Sequence, residues 1–289
     1  NANTLRLLTH QFGGRRKGGF VMTYATLASV VKYPHSSQLG MRKSKFGFFN
    51  AEAETYKTIA EELNIPVLED VDGEKRYARH PLVYLVEAAD DICYEIMDIE
   101  DAHKLKLLSD QETLSLFLNF FKDEERENIL GAYVSDTDVD DQIIYLRSCV
   151  INALEQACVN TFVENEESIL AGTFTGSLID HLPDHLHQAY KDCEQVAHRK
   201  IYNSKAVTDI DLSGYHIIYT LLDLLTEAVT SPEKAYSQLL LQQISAQYQV
   251  RAPRLYDRLM AVLDYISGMT DVYALDLYRK TKGHSLPMV

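Results

Sequence analysis

Glu87, Asp90, Tyr94, Asp98 and Asp101 are spaced so that a helix brings them to one side. Pro81 suits a first helical turn, where its missing N–H costs nothing, and neither glycine nor proline interrupts the chain through Ala102. At about 100° per residue the five fall within an arc of roughly 80°. Leu85, Val86, Ala89, Ile92, Cys93 and Ile96 then cover the opposite side, the side expected to be buried. No Lys or Arg stands four residues from Asp90 to neutralise it, so like charges are stacked at a cost that a cation or a substrate relieves. A carboxylate, an aromatic one turn on and a second carboxylate two turns on make a floor for a metal ion, a ring and a hydroxyl. The plainer alternative is a solvated acidic face. Asp90 rather than Asp91 shares the face of Tyr94 and Asp98, because Asp91 turns about 100° away; Asp91 is left as a supporting carboxylate.

The elements that must hold this stripe read as helices. Residues 1–12 carry Leu5, Leu8 and Phe12 at helical spacing, and Gly13-Gly14-Arg15-Arg16-Lys17-Gly18-Gly19 breaks them as a basic turn that lacks a P-loop ending. Thr23 to Val31 is helical up to Lys32-Tyr33-Pro34. Met41 to Phe49 is a basic, aromatic loop, and a small hairpin is expected near 40–50. Glu52 to Leu63 is amphipathic, and Asp70 to Glu74 is a turn. Asp136 to Asp141 imitates a calcium loop, but the sixth position lacks glycine and Arg147 stands at the twelfth, so it reads as an acidic helix start. A long helix covers 141–163. His181, His185 and His187 have a metal-like spacing interrupted by Pro183, and are read as structural or surface groups. Pro183-Asp184 starts a helix through Val196, and Asp209 or Asp211 starts another. The fold expected is all-α.

Of the 289 residues 46% are hydrophobic and 24% charged, an ordinary globular composition. A formal charge of −14 argues against a general nucleic-acid binder and repels polyphosphate at long range, so a few placed cations must hold any such ligand. Cys93, Cys149, Cys158 and Cys193 show no paired spacing and are expected to be buried reduced thiols, which fits a cytoplasmic location. No apolar run approaches the roughly 20 residues that span a bilayer.

Four stretches, in order, carry a family resemblance. Leu82-Val83-Tyr84-Leu85-Val86-Glu87-Ala88-Ala89-Asp90-Asp91-Ile92-Cys93-Tyr94 resembles the metal-ligand helix of bacterial dGTP triphosphohydrolases, the dGTPase branch of the HD-domain superfamily. Asn1-Ala2-Asn3-Thr4-Leu5-Arg6-Leu7-Leu8-Thr9, Val31-Lys32-Tyr33-Pro34 with Lys45-Phe46-Gly47-Phe48-Phe49, and Asp264-Tyr265-Ile266-Ser267-Gly268-Met269-Thr270-Asp271 resemble the same family. The family's His and His-Asp motif does not occur in these residues. The chain is therefore expected to be the C-terminal portion of a longer enzyme, with the catalytic His and the other metal ligands upstream of Asn1.

The resemblance implies an HD-type helical bundle. Residues 1–134 would form the C-terminal part of the catalytic domain, with the ligand helix over 81–107, and residues 135–289 a helical region packed on it. It implies that Asp90 holds Mn²⁺ or Mg²⁺, that Tyr94 stacks on the deoxyribose and rejects a 2′-hydroxyl, and that Asp98 accepts from the 3′-hydroxyl. Lys32, Tyr33 and Lys45 are implied at the triphosphate and sugar, and Asn1 at the nucleotide. Arg147 is implied at the phosphates by a mammalian relative in the superfamily. The activity implied is conversion of dGTP, or other dNTPs, to deoxynucleoside and tripolyphosphate. The partners implied are further copies in a hexamer or tetramer, and a single-stranded DNA or nucleotide effector. Rival readings are a non-catalytic helical regulatory or single-stranded nucleic-acid-binding subunit, and an HD-type phosphodiesterase.

Overall fold

The computed structural model of the chain describes residues 2–14, 16, 18–40, 45–131 and 138–284. Its order is α1 (Ala2–Thr9), α2 (Tyr24–Ser29), α3 (Ser37–Gly40), α4 (Ala53–Glu62), β1 (Val67–Val71), β2 (Glu74–Tyr77), α5 (Pro81–Lys104), α6 (Asp110–Leu118), α7 (Asp123–Gly131), α8 (Val139–Glu164), α9 (Glu166–Leu170), α10 (Asp184–Val196), α11 (Lys205–Thr230), α12 (Ala235–Gln243), α13 (Leu255–Ser267) and α14 (Asp271–Thr281). The all-α expectation holds, apart from one two-stranded antiparallel sheet among the described residues. No described helix is long and apolar enough to cross a membrane.

Two compact units form. One is Asn1–Leu5 with Met22–Val207, the other Arg6–Val21 with Thr208–Val289. The division therefore falls near 207 and not near 135, a point that itself lies outside the described residues. The reason is packing. Ile143, Leu146, Val150 and Leu154 of α8 recur at helical spacing and enter the same core as Tyr84, Ala88, Ile92, Ile96 and Ile99 of α5. Each such side chain contributes about 1.5–3 kcal/mol on burial, so the segments on either side of 135 share one core. In the second unit, Leu221, Leu225 and Val229 of α11 pack with Val262, Tyr265 and Leu277 of α13 and α14.

Local chemistry explains most element ends. Pro81 opens α5, and His80 accepts the Leu82 N–H at its Nδ1 (3.2 Å). Ser109, Asp138 and Thr270 cap α6, α8 and α14 with side-chain oxygens. A hairpin lies at 67–77; the one expected near 40–50 falls partly on residues 41–44, outside the described ones, beside which Ser36 and Phe48 form an isolated parallel bridge. Asp72 and Gly73 carry φ of 56° and 87°, the left-handed pair of a tight hairpin turn, so the expected turn at 70–74 is flanked by strands. Helix α11 begins at Lys205, before Asp209.

Helix α5 is rotated from the expected face. Val86, Ala89 and Cys93 are exposed, whereas Glu87, Glu95 and Glu100 are buried. Two of those carboxylates turn inward because cations meet them: Lys32 and Arg79 at Glu87 (2.9 and 2.7 Å), and at Glu100 Arg147 of α8 (3.1 Å) with Lys104 one turn on in α5 itself (2.6 Å). Cys93 is accordingly an exposed thiol, while Cys158 and Cys193 are buried.

Candidate functional site

Asp90, Tyr94 and Asp98 do share one face of α5. Asp90 and Tyr94 stand exposed, Tyr94 by 62%, and Asp98 is half-buried. Asp90 and Tyr94 line a cleft of about 360 Å³ together with Asp91, Glu95, Lys191 and Glu194. Beside it runs a larger cleft of about 980 Å³, walled by Lys32, Tyr33, Arg79 and Glu87 and by the loop from Gly172 to Ser177. Asp91, Ser177 and Asp180 line both, so the two clefts adjoin.

The larger cleft is built around Glu87. Its two oxygens hold Lys32 and Arg79, and Arg79 also donates to the backbone carbonyls of Lys32 (3.1 Å) and Gly176 (3.3 Å) and lies over the Tyr84 ring. Tyr84 in turn donates to the Phe174 carbonyl (3.1 Å). Strand-proximal chain, α5 and the glycine-rich loop are thus tied at one point. Gly172 sits at φ +71°, and a Cβ there would come 2.6 Å from the Ala78 Cβ, which is why the loop needs glycine where it meets the hairpin's end. Burial works most strongly against the Lys32 charge, but the hydrogen bond to Glu87 and the negative charges of Glu87 and Asp91 together outweigh it and hold its pKa above the ordinary value. Lys32 stays cationic at the wall of the cleft.

Lys45 meets Tyr33, its exposed ammonium 5.5 Å from the centre of the ring, while Lys32 and Tyr33 both line the larger cleft. Arg147 lines neither cleft. It lies between α8 and α5, against Glu100 and the Met97 sulfur (3.5 Å). Asn1 is outside the described residues. His181 faces the Thr175 carbonyl (2.9 Å) and packs on Phe174, supporting the loop.

The smaller cleft is strongly acidic. Burial, with Glu87, Asp90 and Glu194 adding and Lys32 opposing, lifts the Asp91 pKa above the usual carboxylate range. Burial also pushes Glu95 up to about 7, with Glu194 and Asp98 adding to it. Glu95 Oε1 is buried with no hydrogen-bond partner among the described residues. Tyr190 donates to the Asp91 backbone carbonyl (3.1 Å), joining α10 to α5.

Asp90 is the one residue the resemblance assigns to a divalent ion. Its carboxylate meets no hydrogen-bond or ion-pair partner among the described residues. Among those residues no three or more His, Cys, Asp or Glu are arranged to hold an ion.

Sequence reasoning missed Arg79, Glu95, Tyr202, whose hydroxyl donates to Asp98 Oδ2 (2.7 Å), and the 172–177 loop. Only the loop left a signal, its glycines at 172 and 176. The others are identified by partners that lie far away along the chain.

Comparison with known proteins matches residues 181–280 to the family described as Phosphohydrolase-associated domain. The whole chain is similar to a "Deoxyguanosinetriphosphate triphosphohydrolase-like protein" of Pseudomonas aeruginosa, 32% identical over 300 residues that cover 99% of this chain and 66% of that protein. A protein of the same name from Synechocystis is 30% identical over 304 residues, covering 99% and 65%. The Yersinia enterocolitica protein named "Deoxyguanosinetriphosphate triphosphohydrolase" is 27% identical over 315 residues, covering 90% and 59%. The chain spans 66% or less of the length of each of these three relatives.

Proposed function

Since the chain belongs to the family of deoxyguanosinetriphosphate triphosphohydrolases and their like, we propose that it hydrolyses dGTP, or other dNTPs, to deoxynucleoside and tripolyphosphate in a metal-dependent reaction. The observation that carries this reading is two adjoining clefts, an acidic one lined by Asp90, which meets no partner among the described residues, and one walled by Lys32 and Tyr33. In this reading Asp90 gives an oxygen to a Mn²⁺ or Mg²⁺ ion, whose other ligands the described residues do not provide. When bound, such an ion polarises a phosphoryl oxygen and acidifies water. Tyr94 offers its exposed ring to the deoxyribose, and Asp98 accepts from the 3′-hydroxyl. Lys32 and Lys45 meet the triphosphate as point charges in a chain whose overall charge repels it. Arg147 takes no part here, because Glu100 holds it.

The test is product analysis of dGTP incubated with the full-length protein, upstream ligands included, and Mn²⁺ or Mg²⁺. Deoxyguanosine with intact tripolyphosphate is expected. Nucleoside monophosphate would favour a phosphodiesterase, and binding without product a non-catalytic subunit. Asp90→Ala should lower turnover by more than about 100-fold, beyond what loss of a supporting hydrogen bond costs at metal sites. Its melting temperature should stay unchanged, since the carboxylate is exposed and holds nothing.

A further inference from the structure

The segment that follows α1 carries the one run of three consecutive Lys and Arg residues in the sequence, Arg15-Arg16-Lys17, set between two pairs of glycines in a chain of formal charge −14. Its two ends are tied down. The Gly13 N–H donates to the Gln247 carbonyl and the Phe20 N–H to the Leu8 carbonyl, both at 2.9 Å. Beside these ties, and wholly within the second unit, lies a cavity of about 640 Å³ lined chiefly by Leu7, His10, Phe12, Arg16, Phe20 and Tyr248.

The half-buried part of its wall is aromatic. Phe12 stands edge-on to both His10 and Tyr248, with ring centres 4.8 and 5.9 Å apart and planes at 86° and 83°. Burial first, and the Arg6 charge next, outweigh Asp264 and Asp257 and keep the His10 pKa below its ordinary value, so this wall is uncharged at neutral pH. The exposed part is cationic. Arg16 meets no carboxylate among the described residues.

Next to the cavity the chain holds apolar groups in water at a cost. Phe20 is 70% and Val21 74% exposed. Val21 takes a φ of 56°, a left-handed conformation that a β-branched residue rarely adopts and that costs about 1–3 kcal/mol. Two large apolar side chains presented by strained backbone extend the apolar surface beyond what a small molecule in the cavity would cover. That extent suits a polypeptide. A nucleic-acid strand needs cations along a track and a flat ring for each base, whereas this surface sets the aliphatic Leu7 and Val21 beside a single cationic loop.

We propose that this face is a docking site for an acidic segment of a second protein, which places a bulky apolar side chain in the ring-walled cavity and its flanking carboxylates against Arg16. Charge complementarity fixes where such a segment lands. The net charge of the chain turns it away elsewhere, and the loop attracts it here. The apolar anchor then supplies the affinity, as a side chain enclosed by rings does at the centre of an interface.

The test measures fluorescence anisotropy of a dye-labelled synthetic peptide, Glu-Glu-Asp-Trp-Leu-Glu-Glu, titrated with the full-length protein. Arg16→Glu and Phe20→Ser should each weaken binding by about tenfold or more. Both side chains are exposed, so the melting temperatures of the two variants should stay with that of wild type. Affinity for the peptide should fall as salt rises. A peptide with alanine in place of tryptophan, and one with lysines in place of its acidic residues, should each bind at least about tenfold more weakly. No binding of the acidic peptide to wild type, equal binding to both variants, or equal binding of the control peptides would overturn the proposal. A labelled oligothymidylate that binds more tightly than the peptide, and loses that affinity in Arg16→Glu, would give the face to nucleic acid and overturn it as well. None of these readouts involves turnover, so they stand whether or not the hydrolase reading does.

Discussion

Glu95 shows what a single buried carboxyl does to the acidic cleft. Burial, helped by Glu194 and Asp98, raises its pKa from 4.5 to about 7. Between those two values the folded protein keeps a proton that the unfolded chain has released. Linkage then requires stability to fall as pH rises through this window, and to level off above it. Glu95→Gln should flatten that decline and make the protein more stable than wild type near pH 8. Melting temperatures of both proteins across pH 4 to 9 check this; parallel curves would refute it. The same side chain marks a limit of sequence reading. Asp90, Tyr94 and Asp98 can be placed on one face from spacing alone, and the structure puts them there. Whether Glu87, Glu95 and Glu100 point in or out depends on Lys32, Arg79, Arg147 and α10, none of which the local pattern contains.

At the scale of elements, punctuation carried the reading where it was local. Pro81 and Pro183-Asp184 announce α5 and α10 correctly, because a proline's backbone preference needs no tertiary partner. The expected turn at 70–74 lies between β1 and β2, while the hairpin expected near 40–50 falls partly on residues outside the described ones. The π-helical turn that continues α10, Ala197–Tyr202, left no trace in the periodicity, since its extra residue is a consequence of packing on both sides. The two kinds of glycine give a paired prediction. Gly172→Ala forces a Cβ to 2.6 Å from Ala78 at a positive φ, so it should cost about 1–3 kcal/mol and distort the wall of the larger cleft. Gly214 lies inside α11 with nothing within 4 Å, so Gly214→Ala should stabilise by about 0.5–1 kcal/mol. Denaturant midpoints moving in the same direction for both variants would contradict this assignment.

For the whole molecule, the informative contact is Arg6 with Asp264. The two groups are nearly inaccessible, and the guanidinium meets both carboxylate oxygens, Nε to Oδ1 at 2.6 Å and Nη2 to Oδ2 at 2.7 Å. It joins the first and last of the four stretches that carry the family resemblance, a pairing that their positions in the sequence did not reveal. Asp264→Ala leaves a buried cation without its main counter-charge and should cost about 3–5 kcal/mol. Asp257→Ala, which breaks the exposed pair with Arg254, should leave the denaturation midpoint unchanged. Equal effects of the two substitutions would remove the Arg6 pair from this role. The 258 residues between its ends also set a clock for synthesis. At about 5–20 residues per second, a ribosome needs roughly 13–50 s after making the arginine before its carboxylate partner exists. Throughout that interval α1 has an unanswered cation, so the second unit completes itself only late in translation, with nascent-chain helpers free to hold it meanwhile.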